Sequence, residues 1–187
     1  MSSLYLVLDL INDIVTGTSP LVAEVERRGV LARSAEAIAK ARAAGVPIAY
    51  VRVGFSGEQD RPRCSPFLRP FYDAGYLQLG ARGTQVHAAV TPQPGDLDIV
   101  KHRVSAFWGT ELDMILRARG IDKIYVSGVS TTYAVSSTVR EAHDRDLDIV
   151  LIEDLCAAGS LAEHEAAIAA LSPLCGTVTG SAEVVFA

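Results

Sequence analysis

The chain has 187 residues, 49% hydrophobic and 21% charged, with a formal net charge of −5; this suits one ordinary globular domain with a sizeable core. Acidic and basic residues are mixed along it, without a basic block or a basic-aromatic stripe, so nucleic acid is not an expected partner. No apolar run reaches the ~18 residues that a membrane helix needs, and Met1-Ser2-Ser3 leads into a strand-like run without a basic leader, so neither a membrane partner nor a signal peptide is expected.

Leu4 to Leu8 is a short continuous apolar run, the pattern of a strand buried on both faces. Leu31 to Ala44 predicts a helix, rich in Ala, Arg and Lys and stopped by Gly45 and Pro47. Pro47 to Val53 reads as a second strand. The stretch 54–95 differs, with Pro62, Pro66, Pro70, Pro92 and Pro94 among Phe55, Phe67, Phe71, Tyr72 and Tyr76. A long loop of this composition fits a lid or pocket wall, or equally an aromatic satellite core or a subunit interface. Leu97 to Val100 reads as a third strand. Thr110 to Arg119 carries Leu112, Ile115 and Leu116 at helical spacing before Gly120. Lys123 to Val129 is a fourth strand, Thr132 to Arg145 a helix and Leu147 to Ile152 a fifth strand. Ser160-Leu161-Ala162-Glu163 is a capping-box opening for a helix to Leu171, and a weaker sixth strand falls at Thr177 to Thr179 or at Val184 to Phe186. Alternation of this kind predicts a single three-layer α/β/α domain over 1–187, with a mostly parallel sheet of about six strands.

Cys64, Cys156 and Cys175 are odd in number and far apart, which argues against a disulfide framework and fits a reducing cytoplasm. His87, His102, His143 and His164 include no pair at ligand spacing, so no metal site is expected, and nothing calls for a cofactor.

Ligands of open parallel sheets bind at the carboxyl ends of the strands. The first strand ends at Asp9, with Asn12 and Asp13 just beyond; the third ends at Lys101; the fourth leads through Ser130-Thr131-Thr132-Tyr133-Ala134 into a helix. Taken singly, Asp9 fits a helix cap and Lys101 a surface lysine. Taken together they form a buried acid-amine pair, and desolvating two charges needs a reason. A helix start after Val129 offers free N–H groups and a positive dipole end, where an oxyanion or a thiolate would be held. This elbow presents residue 134 as a nucleophile, yet alanine cannot attack. Ser136 and Ser137 should point away, Thr131 and Thr132 fit helix caps, and Cys156 fits a small packed hydrophobe.

These segments resemble the isochorismatase-like cysteine hydrolases. Asp9-Leu10-Ile11-Asn12-Asp13 is similar to that family's N-terminal Asp-Leu-Gln-Asn-Asp motif. Pro94-Gly95-Asp96 with Ile99-Val100-Lys101 resembles its lysine strand, and Ser105-Ala106-Phe107 with Gly109-Thr110-Glu111-Leu112 the continuation. Gly128 to Val135 resembles the nucleophile elbow, with Ala134 where that family carries cysteine. The resemblance implies that Asp9 is the general base, Lys101 its cationic partner and 134 the nucleophile position. It implies an oxyanion hole from the N–H groups of Ser130 and residue 134, a cis peptide at Val129–Ser130, and a substrate-binding set of Ser130, Val129, Asn12, Phe107 and Tyr133. In the intact family a thiolate attacks an amide carbonyl, an amine leaves and water releases the acid. The interval from Lys101 to residue 134 resembles that of the N-carbamoyl and ureido amidohydrolases. Residues 54–60 lack the Asp-x-His element of nicotinamidases. The implied activity is metal-independent hydrolysis of a small amide or ureido compound, in a chain whose cysteine has been replaced by Ala134. Two alternatives stand beside it: a natural cysteine-less hydrolase of isochorismatase type with Asp9 as general acid, and a non-catalytic binding protein. The family's habit of assembly implies a homodimer or homotetramer.

Overall fold

The computed structural model describes residues 2–187. Six strands form one sheet: β1 (Ser2–Leu8), β2 (Ile48–Val53), β3 (Leu97–Lys101), β4 (Ile121–Val129), β5 (Asp148–Ala157) and β6 (Thr177–Thr179). Their order is β3-β2-β1-β4-β5-β6, and every neighbouring pair is parallel. The chain runs outward from β1 to β3, returns to the far side of β1, and runs outward again to β6. At that reversal the connections leaving β1 and β4 diverge, and a crevice opens at their carboxyl ends.

Seven α-helices accompany the sheet among the described residues: α1 (Asn12–Val15), α2 (Pro20–Arg27), α3 (Val30–Ala43), α4 (Arg69–Asp73), α5 (Leu112–Ala118), α6 (Ser136–His143) and α7 (Leu161–Leu171). The pleat of β1 divides the core in two, because successive side chains point to opposite faces. Leu4, Leu6 and Leu8 pack with Leu112 and Leu116 of α5, Val139 and Ala142 of α6, and Leu171 of α7. Tyr5 and Val7 pack on the other face with Val25 of α2 and Val30, Ile38 and Ala41 of α3. With both faces covered, every position of the strand is best apolar, hence the unbroken run in the sequence. Each fully buried Leu contributes about 1.5–3 kcal/mol.

Several elements depart from expectation. The helix expected over Thr132 to Arg145 is split into a five-residue π turn, Thr131–Val135, and α6. β5 runs on to Ala157 because its ladder with β4 shifts register: Val126 pairs with Leu151, but Gly128 pairs with Cys156. Of the two sites for the sixth strand, Thr177–Thr179 pairs with β5. Val184 and Phe186 instead close the second core, Phe186 lying 5.3 Å from the Tyr5 ring and 4.7 Å from the Tyr125 ring. α2 was not foreseen, although Ser19 caps it by accepting from the Val22 N–H at 3.2 Å and Pro20 fills its first turn. In the stretch 54–95, Phe55, Leu68 and Leu77 form a small third core with Ile11 and Val53, while Phe67, Phe71 and Tyr76 remain exposed.

Candidate active site

β1 ends at Leu8, in register with Val51 of β2 and Gly128 of β4. The next residue, Asp9, has φ 54°, a left-handed conformation that Asp and Asn adopt more readily than other side chains. Its N–H donates to Val51 O at 2.8 Å. Its carboxylate accepts the Val53 N–H on Oδ1 at 2.8 Å and meets Lys101 Nζ through Oδ2 at 2.7 Å. Val53 is in register with Lys101, so the carboxylate reaches across β2 to the tip of β3. Lys101 Nζ also donates to Val104 O at 2.6 Å. Side-chain exposure is 3% for Asp9 and 2% for Lys101. Burial raises the Asp9 carboxyl above the ordinary carboxylate range, and the Lys101 ammonium and the Val53 N–H draw it part of the way back. Asp9 is therefore a stronger base than a free carboxylate.

The elbow is built at the end of β4. Gly128 has φ 119°, and a Cβ there would stand 2.1 Å from Leu8 O, so only glycine allows the tip of β4 to lie against β1. The Val129–Ser130 peptide is cis. Ser130 is extended, and its carbonyl accepts from the N–H groups of Tyr133 and Val135, each at 3.2 Å. The Ser130 N–H has no acceptor among the described residues. Behind the turn, Thr131 and His164 are fully or almost fully buried. Thr131 Oγ1 meets His164 Nδ1 at 2.9 Å, His164 Nε2 meets Glu153 Oε2 at 3.2 Å, and Arg28 pairs with the same carboxylate at 2.9 Å. Burial lowers the His164 imidazole below its ordinary value; a neutral ring then accepts from Thr131 on one nitrogen and donates to Glu153 from the other. The chain of partners fixes the first residue of the turn.

A cavity of about 890 Å³ opens over these groups. Asp9, Lys101, Val129, Ser130 and Ala134 line it from the strand ends, and Phe67, Leu68, Phe71 and Tyr76 from the outer wall. Tyr133, on the elbow itself, stacks on Phe67 with centroids 4.1 Å apart and planes at 19°. Ala134, only 4% exposed, has its methyl between the cavity and the core under α6. The space beside that methyl is what a larger atom at the same position would enter.

Of the sequence-derived candidates, Asp9, Lys101, Ala134, Ser130, Val129 and Tyr133 share this cavity. Asn12 and Phe107 do not line it. Asn12 opens α1, and its Nδ2 donates to Arg82 O at 2.8 Å. Phe107 is 4% exposed in the first core, with the Arg145 guanidinium 4.4 Å from its ring centroid. Cys156 is fully buried beside Ile152 O, and burial pushes its thiol up to about 12. Asp13, Arg103 and Glu163 line the cavity and were not singled out as site residues from the sequence. Their signals were present but masked: Asp13 closes the Asp9 motif, Arg103 follows the lysine strand by two residues, and Glu163 reads as part of a helix cap. Among the described residues no group of three His, Cys, Asp or Glu side chains could hold a metal ion, and no helix is long and apolar enough to cross a membrane.

The chain matches the isochorismatase domain family over residues 3–183. It is 36% identical over 180 residues to the ureidoacrylate amidohydrolase RutB of Methylobacterium radiotolerans, covering 88% of this chain and 66% of that relative. Among solved structures it is similar to the isochorismatase family protein of Desulfovibrio vulgaris subsp. vulgaris str. Hildenborough, at 29% identity and a TM-score of 0.85 over 95% of this chain and 94% of that one. It is also similar to N-carbamoylsarcosine amidase from Thermoplasma acidophilum, at 27% identity and a TM-score of 0.78 over 98% and 99% of the two chains.

Proposed function

The chain belongs to the isochorismatase family, and from that premise we propose that its cavity takes a small amide or ureido compound for C–N bond hydrolysis, with the attacking atom missing at Ala134. One observation carries this: a buried Asp9–Lys101 pair 2.7 Å apart lines the same cavity as a strand-to-helix elbow whose Ser130 N–H is unengaged. The names of two relatives, a ureidoacrylate amidohydrolase and an N-carbamoylsarcosine amidase, support the substrate class.

A thiol at position 134 would complete the chemistry. Asp9 takes its proton, with Lys101 and the helix start favouring the thiolate. The sulfur adds to the carbonyl carbon, and the resulting oxyanion accepts from the Ser130 N–H. The C–N bond breaks as the nitrogen regains a proton from Asp9, and water then hydrolyses the thioester. With alanine there, the chain is expected to bind the compound and to turn it over poorly or not at all. The test is ammonia release from a panel of ureido and primary amides by the Ala134 chain and by Ala134→Cys. Turnover confined to the cysteine form is the expected result.

The raised Asp9 carboxyl favours a second reading, in which Asp9 itself acts as general acid or activates a water. Equal activity of the two forms would decide for it. Tight binding with no turnover by either form would leave a non-catalytic binding protein. A homodimer or homotetramer and a cytoplasmic setting belong to the same proposal; sedimentation of the purified chain tests the first.

A further inference from the structure

The cavity has charged ends. Arg103 follows β3, at one edge of the sheet, and Glu163 stands in the first turn of α7, which follows β5. In the strand order β3-β2-β1-β4-β5 the two strands that these residues follow are four spacings apart, or roughly 19 Å at the ordinary spacing. Both residues line the cavity, and the elbow after β4 falls between them. A bound molecule therefore meets a cation at one end and a carboxylate at the other.

Arg103 is held rather than neutralised. Its Nη1 donates to Asp60 O at 2.9 Å and to His102 O at 2.6 Å, and its guanidinium lies 5.9 Å from the Trp108 ring centroid. Among the described residues no carboxylate pairs with it, and its Nε and Nη2 make no hydrogen bond. A guanidinium fixed by two carbonyls, with donors to spare, is prepared to receive a planar anion. The same residue also borders a second depression of about 520 Å³, with Arg61 and Arg63 on its rim. Arg61 is engaged by Glu58 and Asp73. The Arg63 guanidinium has no ionic partner among the described residues, so the positive potential extends past Arg103.

We propose that Arg103 is a specificity-determining residue that receives the carboxylate of an acidic substrate, so that the cavity takes amide or ureido acids in one orientation. The carboxylate lies at Arg103 and the scissile carbonyl over Ala134. This deepens the hydrolase reading and rests on it. Glu163 makes the reverse orientation unfavourable, because an anion at the α7 end would meet its carboxylate; the Asp13 carboxylate is taken up elsewhere, its Oδ2 accepting the Leu77 N–H at 2.7 Å. Arg63 adds to the field without touching the ligand.

The experiment compares 3-ureidopropionate with propylurea, which has the same chain without the carboxylate. Titration calorimetry on the Ala134 chain should show the acid binding at least tenfold more tightly, with the preference shrinking as salt is raised. Arg103→Leu should remove the preference by weakening the acid about tenfold while leaving propylurea within about twofold. Arg103→Lys keeps a cation if loss of the two carbonyl bonds harms folding, and should retain part of the preference; Arg63→Gln should lower acid affinity by a smaller factor. Equal binding of the two compounds, equal loss for both in Arg103→Leu, or binding of neither overturns the assignment. Ammonia release by Ala134→Cys on both compounds separates the two proposals. Turnover of acid and neutral urea at similar kcat/KM would leave hydrolysis standing and remove the role of Arg103, whereas acid preference in binding without any turnover would do the reverse.

Discussion

Replacing Lys101 by methionine leaves the Asp9 carboxyl buried with only the Val53 N–H on it. At an effective dielectric of about 20, unit charges at the observed 2.7 Å attract by about 6 kcal/mol. Removing the ammonium also removes its own desolvation penalty, and breaking one side of a buried pair leaves a net loss of about 3–5 kcal/mol. Asp9 can relieve part of this by holding its proton. Its folded-state carboxyl already stands above the unfolded value, and without Lys101 it rises further. Between the unfolded pKa, near about 3.9, and the folded one, the native state binds more protons than the unfolded state. Stability then falls as pH rises, by up to about 1.4 kcal/mol per unit, until the folded carboxyl ionises. Urea unfolding of the unsubstituted chain and Lys101→Met at intervals from pH 5 to pH 8 should show a gap that is small at pH 5 and widens upward. Asp9→Asn in the same background should close most of it. A gap that stays constant across the range would refute the pairing as the source of the loss.

Gly128→Ala should prevent soluble folding or destabilise the chain by at least about 3 kcal/mol in denaturant unfolding, since its Cβ would meet the Leu8 backbone in a conformation unfavourable to alanine. Thiol labelling of the native chain at pH 8 should modify the exposed Cys64 rapidly and spare Cys156, whose thiol is held near about 12; peptide mapping after alkylation reads the ratio. His164→Phe should lower stability by about 1–3 kcal/mol by orphaning the Thr131 hydroxyl. Adding Thr131→Val should give less than the sum of the single losses if the two residues are coupled.

The strands were legible because a parallel sheet covered on both faces needs apolar runs, and Leu4 to Leu8 or Lys123 to Val129 supply them. Asp9 and Lys101 were legible for a related reason: a charge at the end of such a run must lie at the sheet's carboxyl edge. The extension of β5 to Ala157 was hidden, since it depends on a register shift against Gly128 that no local pattern announces. α2 escaped although Ser19-Pro20 marks its start, because eight residues are too few to establish a helical period. Phe107 and Asn12 stand outside the cavity lining, since membership of a motif does not say which way a side chain turns. Arg103 and Glu163 were overlooked because their place at opposite ends of one cavity follows from strand order, which sequence neighbours do not reveal. His164, which has no histidine partner at ligand spacing, meets Thr131 only in three dimensions.

The two walls of the cavity keep different time. The amides of β1 are laddered to β2 on one side and β4 on the other, at residues almost wholly buried. Their hydrogens should exchange with solvent only through opening of the whole domain. The outer wall is tied down by isolated bridges, Phe55 with Gln78 and Ile11 with Val86, and by short turns. Its amides should exchange through small local openings, many times for each global one. A ligand can therefore enter and leave on the schedule of Phe67 and Tyr76, while Asp9 and Lys101 stay bound to the slowest-opening part of the molecule.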